Sequence, residues 1–284
     1  MARICIGAFL SSFMIPLAMI IGLSVDVCGR EYRKPIVAQD TAFMEMVYIH
    51  LTVDPKEEIN GEKADYELLA IGDDYRWYGG YGDYQLDSIQ LADPEWTSVP
   101  TLDDYGRLRK ELEPIVVNMM TGLRDSTVYY YGKIFINNYR YEEPIPKFNW
   151  KFEDETREVM GYECRKATTR WRGRDWTAWY SEIPVSAAPW KFNGLPGLIL
   201  RLEDSKGEHM FEAVDSKDHR YPIGKKDRLY CKTTREKYNA ELRDYKENPG
   251  AVIDASGLVK MPEGAQNAPK RRQVRSFYNP IELE

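Results

Sequence analysis

The chain has 284 residues and a formal net charge of -6, with 43% hydrophobic and 30% charged residues. That balance is ordinary for a soluble globular protein, and the length suits one large sheet domain or two small ones. An acidic chain whose one basic cluster is Lys270-Arg271-Arg272 with Arg275 is a poor general nucleic-acid binder, so no nucleic-acid partner is expected.

The N-terminus reads as a secretory targeting segment. Arg3 is the only charge before Asp26, and the stretch from Ile4 to Val25 holds only apolar and small residues. A basic start followed by an apolar run is the pattern of a signal peptide and is set apart from the fold. Gly22-Leu23-Ser24 offers small residues where a signal peptidase reads, and Val27-Cys28-Gly29 offers a second site. The expected division is a signal peptide over 1–24 and a single sheet-rich domain over 25–284. The destination is the periplasm, the outer membrane or the exterior. Two other readings stay open. The run is long enough to span a bilayer, which takes about 20 apolar residues, although Pro16 interrupts it. A lipidated Cys28 is the other, although Val27 stands where a lipidation signal wants a small residue.

Further along, period-two alternation rich in Tyr, Trp and β-branched residues predicts strands over Phe43–Val53, Ala64–Ile71, Val128–Asn137, Phe148–Glu158, Glu163–Trp171, Asp175–Ser181, Gly197–Glu203 and Glu208–Val214. Arg172-Gly173-Arg174-Asp175 and Asp204-Ser205-Lys206-Gly207 read as tight hairpin turns, and Gly79-Gly80-Tyr81-Gly82 reads as a turn. Helical periodicity marks Asp103–Leu112 and Thr233–Asn248. In the second, Thr233 and Glu236 form a capping box and Pro249-Gly250 a stop. Strands joined by short turns form an antiparallel sheet. The expected fold is mainly β with minor α: an antiparallel meander, as a curved half-barrel or a sandwich, with one or two helices packed on it and an extended C-terminal tail beyond Ile253.

Four cysteines are present, of which Cys164 and Cys231 lie in the body of the chain. In an oxidising compartment two such thiols tend to pair, and a Cys164–Cys231 disulfide stands as an expectation beside a simply buried Cys164.

Catalytic motifs are absent from the sequence. His50, His209 and His219 stand apart, without an i, i+4 pair or a cysteine at ligand spacing, so neither a metal site nor a cofactor is expected. There is no G-x-S-x-G elbow, P-loop or G-x-G-x-x-G after a strand. The pairs Asp73-Asp74, Asp103-Asp104 and Glu153-Asp154 have the chemistry of acid/base dyads, but among 45 acidic residues adjacent pairs arise by chance.

One stretch is more particular. Gly194-Leu195-Pro196-Gly197-Leu198-Ile199, the segment Gly161-Tyr162, Cys164, Lys166-Ala167, the segment Gly173-Arg174, Ala178-Trp179-Tyr180, Ile183-Pro184, and the terminal Asn279-Pro280-Ile281-Glu282-Leu283 together resemble the GLPGLI family. The resemblance covers the C-terminal half closely and the N-terminal half in outline. It departs at Ala188, where the family carries glycine before Pro189. It implies a secreted envelope protein of Bacteroidota-type bacteria, often encoded near outer-membrane transporters, and implies no activity.

Physically, Gly194-Leu195-Pro196-Gly197 is a corner, with Pro196 fixing φ and the glycines allowing positive φ or close approach. A core strand follows it. A second reading has Trp179, Trp190, Phe192 and Leu195 lining a groove for an apolar or peptide ligand. Two functions follow: a non-catalytic envelope protein that binds a ligand or serves an outer-membrane transporter, or a secreted glycosidase-like hydrolase whose carboxylates only the fold assembles.

Overall fold

A computed structural model of the chain describes residues 36–56, 61–93, 97–98, 101–112, 117–217, 220–255 and 276–284. The expected signal peptide, both of its cleavage sites, the basic cluster near Lys270 and most of the tail beyond Ile253 lie outside the described residues.

The architecture is mainly β and antiparallel. Fourteen strands are described: β1 (Ile36–Thr41), β2 (Met44–Val53), β3 (Glu62–Ile71), β4 (Tyr75–Gly80), β5 (Val117–Gly122), β6 (Thr127–Ile134), β7 (Asn137–Pro144), β8 (Lys151–Val159), β9 (Tyr162–Trp171), β10 (Arg174–Ser181), β11 (Ile199–Asp204), β12 (His209–Lys217), β13 (Pro222–Lys226) and β14 (Cys231–Lys232). Twelve of them form one sheet in the order β14-β7-β6-β5-β4-β3-β2-β12-β11-β10-β9-β8, and β1 pairs with β13 in a separate ribbon. Only the short β14 runs parallel to its neighbour, β7. The helices are α1 (Tyr81–Ala92), α2 (Leu102–Leu112), α3 (Arg235–Glu247) and α4 (Pro249–Ala255).

Alternation along the strands gives the sheet two buried faces. On the inner face Met46, Tyr48, Leu69, Tyr78, Tyr130, Tyr141, Cys164, Trp176 and Phe211 join one cluster with Leu195, Leu198 and Tyr238 of α3. Side chains from nearly every strand meet there, as a curved sheet requires. On the outer face Val47, Leu68, Ala70, Trp77, Met120 and Tyr131 are covered by Tyr221 and Ile223 of the ribbon segment and by Tyr84 of α1.

All eight predicted strands are present. Arg172 (φ 49) and Gly173 (φ 77) take the left-handed conformation that a two-residue hairpin needs, and Gly207 does so between β11 and β12. Three expectations are corrected. Gly79-Gly80-Tyr81-Gly82 is not a turn: its first half ends β4 and its second half starts α1. The N-cap of α3 is Thr234, whose side chain accepts from Lys237 N, and not Thr233. Pro249-Gly250 begins α4 after Asn248 caps α3, because proline fits the first helical turn, where its missing N–H is no loss.

Candidate functional site

The signature segment lies inside the curve of the sheet. It leaves β10 at Ser181 and returns into β11 at Ile199. Its base is closed by Ser181 N donating to Leu198 O at 2.9 Å and Ile199 N to Ala187 O at 3.0 Å. Gly194 has φ +87. Gly197 has no positive φ; a Cβ there would stand 1.8 Å from the Ser181 carbonyl oxygen, so close approach, not conformation, demands glycine. Phe192 and Leu195 are buried, and Phe192 packs among Phe148, Trp171 and Trp176. Trp179 is buried beneath the Arg157 guanidinium, and Trp190 is half-buried against Tyr130. The four do not line one open apolar groove: Trp179 and Leu195 are spent on packing, while Phe192 and the half-buried Trp190 border a narrow crevice.

Residues that are far apart in sequence meet at the chain's end. Arg174, 3% exposed, donates through Nη1 to Asp204 Oδ2 at 2.7 Å and Glu208 Oε2 at 2.6 Å, and through Nη2 to Asn279 Oδ1 at 2.7 Å and Pro280 O at 3.0 Å. Lys191 Nζ donates to Glu282 Oε1 at 2.6 Å and pairs with Glu143, while Trp190 Nε1 donates to the same Glu282 oxygen at 3.1 Å. Arg172 and Arg235 flank Glu282 at 3.6 and 3.5 Å. Charges this deep are tolerable only when paired and hydrogen-bonded, and these are. The Gly-Arg, Trp-Lys-Phe and Asn-Pro-Ile-Glu segments thus form one clasp that fixes the C-terminus against the sheet.

A second polar chain was not visible in the sequence. His50 Nε2 lies 3.1 Å from His209 Nδ1, and His50 Nδ1 lies 3.2 Å from Glu67 Oε1, whose other oxygen accepts from Tyr78 OH. Burial, with the charges of His50 and Arg174, drives the His209 pKa well below the usual histidine range, so this ring stays neutral. The two histidines that stand apart in sequence are neighbours because His209 on β12 pairs with Thr52 beside His50 on β2. Among the described residues no group of three His, Cys, Asp or Glu side chains is placed to hold a metal ion.

Beside the clasp runs an open groove of about 540 Å³. Its walls are the β2–β3 turn (Asp54, Lys56), the β11–β12 turn (Lys206, Glu208), one side of α3 (Glu236, Asn239, Arg243) and the terminal segment from Tyr278. Both signs of charge face it. Burial pulls the Glu208 carboxyl upward, but hydrogen bonds from Arg174 and Asn279 outweigh this and hold it below its usual range. The acidic pairs named from sequence do not assemble: Asp74 meets exposed Arg124, Asp104 sits on α2 with Arg107, and Glu153 meets Lys166 on neighbouring β9.

The expected disulfide is absent. Cys164 is buried on β9 and Cys231 exposed on β14, both as free thiols, with nine strands between theirs in the sheet order. Burial pushes the Cys164 thiol up to about 11.

A family model described as "Protein of unknown function (Porph_ging)" matches residues 172–201, from the β9–β10 turn to the start of β11. No curated protein matches the chain. Among solved structures, PNGF-II in its P21 crystal form aligns with a TM-score of 0.48 and 12% identity over 73% of this chain and 34% of that one. The C2 form gives 0.48, 12%, 73% and 33%. The chain spans about one third of the length of those structures.

Proposed function

We propose that this chain is an exported cell-envelope protein that binds a polar, charged ligand or partner segment in the groove beside its C-terminal clasp, without chemistry of its own. The groove carries this reading. It is an open concavity of about 540 Å³, both charge signs line it, and one wall is held by buried ion pairs. The apolar alternative loses its walls, because Phe192 and Leu195 belong to the core. The hydrolase reading needs a carboxylic acid with a raised pKa in the groove, and Asp83, whose carboxyl is raised, stands on α1 and does not line it. Glu208 is instead held low and Glu282 is ion-paired. The family resemblance implies an outer-membrane transporter as partner, and a peptide is the ligand that the groove reading of the sequence offers.

The test is retention from envelope extract. Immobilised wild-type chain and an Arg243→Glu variant of equal melting temperature are compared, with bound molecules identified by mass spectrometry. At least one species should be held by the wild type, released by high salt and missing from the variant. A retention list unchanged by the substitution would defeat the groove reading. Recovery of the protein from the cytoplasmic fraction with Arg3 intact would defeat export.

A further inference from the structure

A different feature lies on the inner face of the sheet, where Arg76 of β4 points into a narrow crevice also lined by Tyr78, Thr121, Val128, Trp190 and Asn193. Arg76 is the inward residue two positions before Tyr78, and it is half-buried. No ion pair or side-chain hydrogen bond of the described residues includes it, and its Nε is buried without a partner. Burial lowers its pKa, and no carboxylate of the described residues is among the causes. Lys191, in the same crevice, differs: Glu143 and Glu282 neutralise it. A desolvated guanidinium without a counter-charge is costly, and a planar fork of donors suits a carboxylate.

We infer that the Arg76 crevice is an anion subsite that takes the carboxylate of a ligand bearing an apolar group next to that carboxylate. The crevice has about 20 Å³ free, room for about one water-sized group, so one carboxylate oxygen enters while the rest of the head group stays at the mouth. That oxygen enters alone, with the Arg76 guanidinium and the Thr121 hydroxyl as donors; both Asn193 amide hydrogens already go to Pro146 O and Lys191 O. The apolar group rests at the mouth against the half-buried Trp190 and Ile145. A free aromatic or branched acid and the C-terminus of a peptide share this chemistry.

Titration calorimetry on the full chain separates the cases. The probes are N-acetylphenylalanine, its amide, acetate, and a short peptide ending in phenylalanine with a free or an amidated C-terminus. Both free-carboxylate aromatic probes should bind, acetate more weakly, and the amides roughly tenfold or more weaker. Preference for the peptide over the single residue would assign the source to a chain terminus, and the reverse to a free acid. Arg76→Gln should weaken the acids by a similar factor and leave the amides unchanged. Equal affinity for acid and amide in the wild type, or no acid binding at millimolar concentration, overturns the inference without relying on the variant. Neither outcome bears on the groove beside α3, which contains none of these residues.

Discussion

Lys191 and Glu282 meet Nζ to Oε1 at 2.6 Å across 91 residues of chain, both almost wholly out of solvent. The contact ties the signature segment to the terminal one. Removing one member of a buried pair strands the other, which costs about 3 to 5 kcal/mol. Glu282→Ala should fall near the lower end, since Glu143 still pairs with Lys191. The double variant Lys191→Met/Glu282→Leu should recover part of that loss, because replacing both charges avoids stranding either. Urea denaturation measures both; a single variant as stable as the wild type would show that the clasp is ornamental.

The two glycines of the corner serve different needs, and alanine distinguishes them. At Gly194, φ +87 is the obstacle, and the space ahead is ordinary, since an added Cβ would stand 3.7 Å from Trp150 Nε1. Gly194→Ala should cost about 1 to 2 kcal/mol. At Gly197 the Ser181 carbonyl stands 1.8 Å away and belongs to the backbone, so the two segments must part. Gly197→Ala should cost roughly 3 kcal/mol or more, the upper end for overpacking. Equal melting temperatures for the two variants would contradict this division.

Much of the β architecture was legible because alternation reports burial on one face. β4 and α1 were missed because Gly79-Gly80 punctuates a strand end and a helix start as readily as a turn. β7 escaped because Asn137, Asn138 and Glu142 dilute its pattern, and β13 because it opens on proline. The clasp and the histidine pair were beyond periodicity altogether: Arg174 and Asn279 are 105 residues apart and His50 and His209 are 159 apart. One signal was available. His50 sits in the same strand phase as Met46 and Tyr48, and a polar residue at an inward position announces a buried partner.

The cysteines should behave unlike each other. Cys231 is exposed, whereas Cys164 is buried with its thiol pKa raised to about 11, so little thiolate forms. Iodoacetamide labelling read by peptide mapping should modify Cys231 in the native protein and Cys164 only in denaturant. A Cys164–Cys231 peptide in a non-reducing map of the protein would refute the assignment of two free thiols.

Two buried groups tilt the acid side of the stability profile in opposite directions. Asp83 on α1 has its pKa raised to about 6, first by burial and then by Asp87, against the pull of Lys226, Arg109 and Arg228. Its folded form binds a proton more readily than the unfolded chain, so stability from this group falls as pH rises through 6. From pH 7 to pH 5 Asp83 should add about 1 kcal/mol. His209 does the reverse. Its folded pKa is lowered by burial and by the charges of His50 and Arg174, against the Pro280 carbonyl, so below the ordinary histidine range only the unfolded chain is protonated. Over the same interval His209 should remove about 2 kcal/mol. Urea unfolding at both pH values, read as the change within each variant, isolates these slopes from any constant cost of substitution. Asp83→Asn should lose more stability on acidification than the wild type, and His209→Gln should lose less. Identical acid-side losses in all three proteins would mean that neither group is held in the protonation state its burial implies.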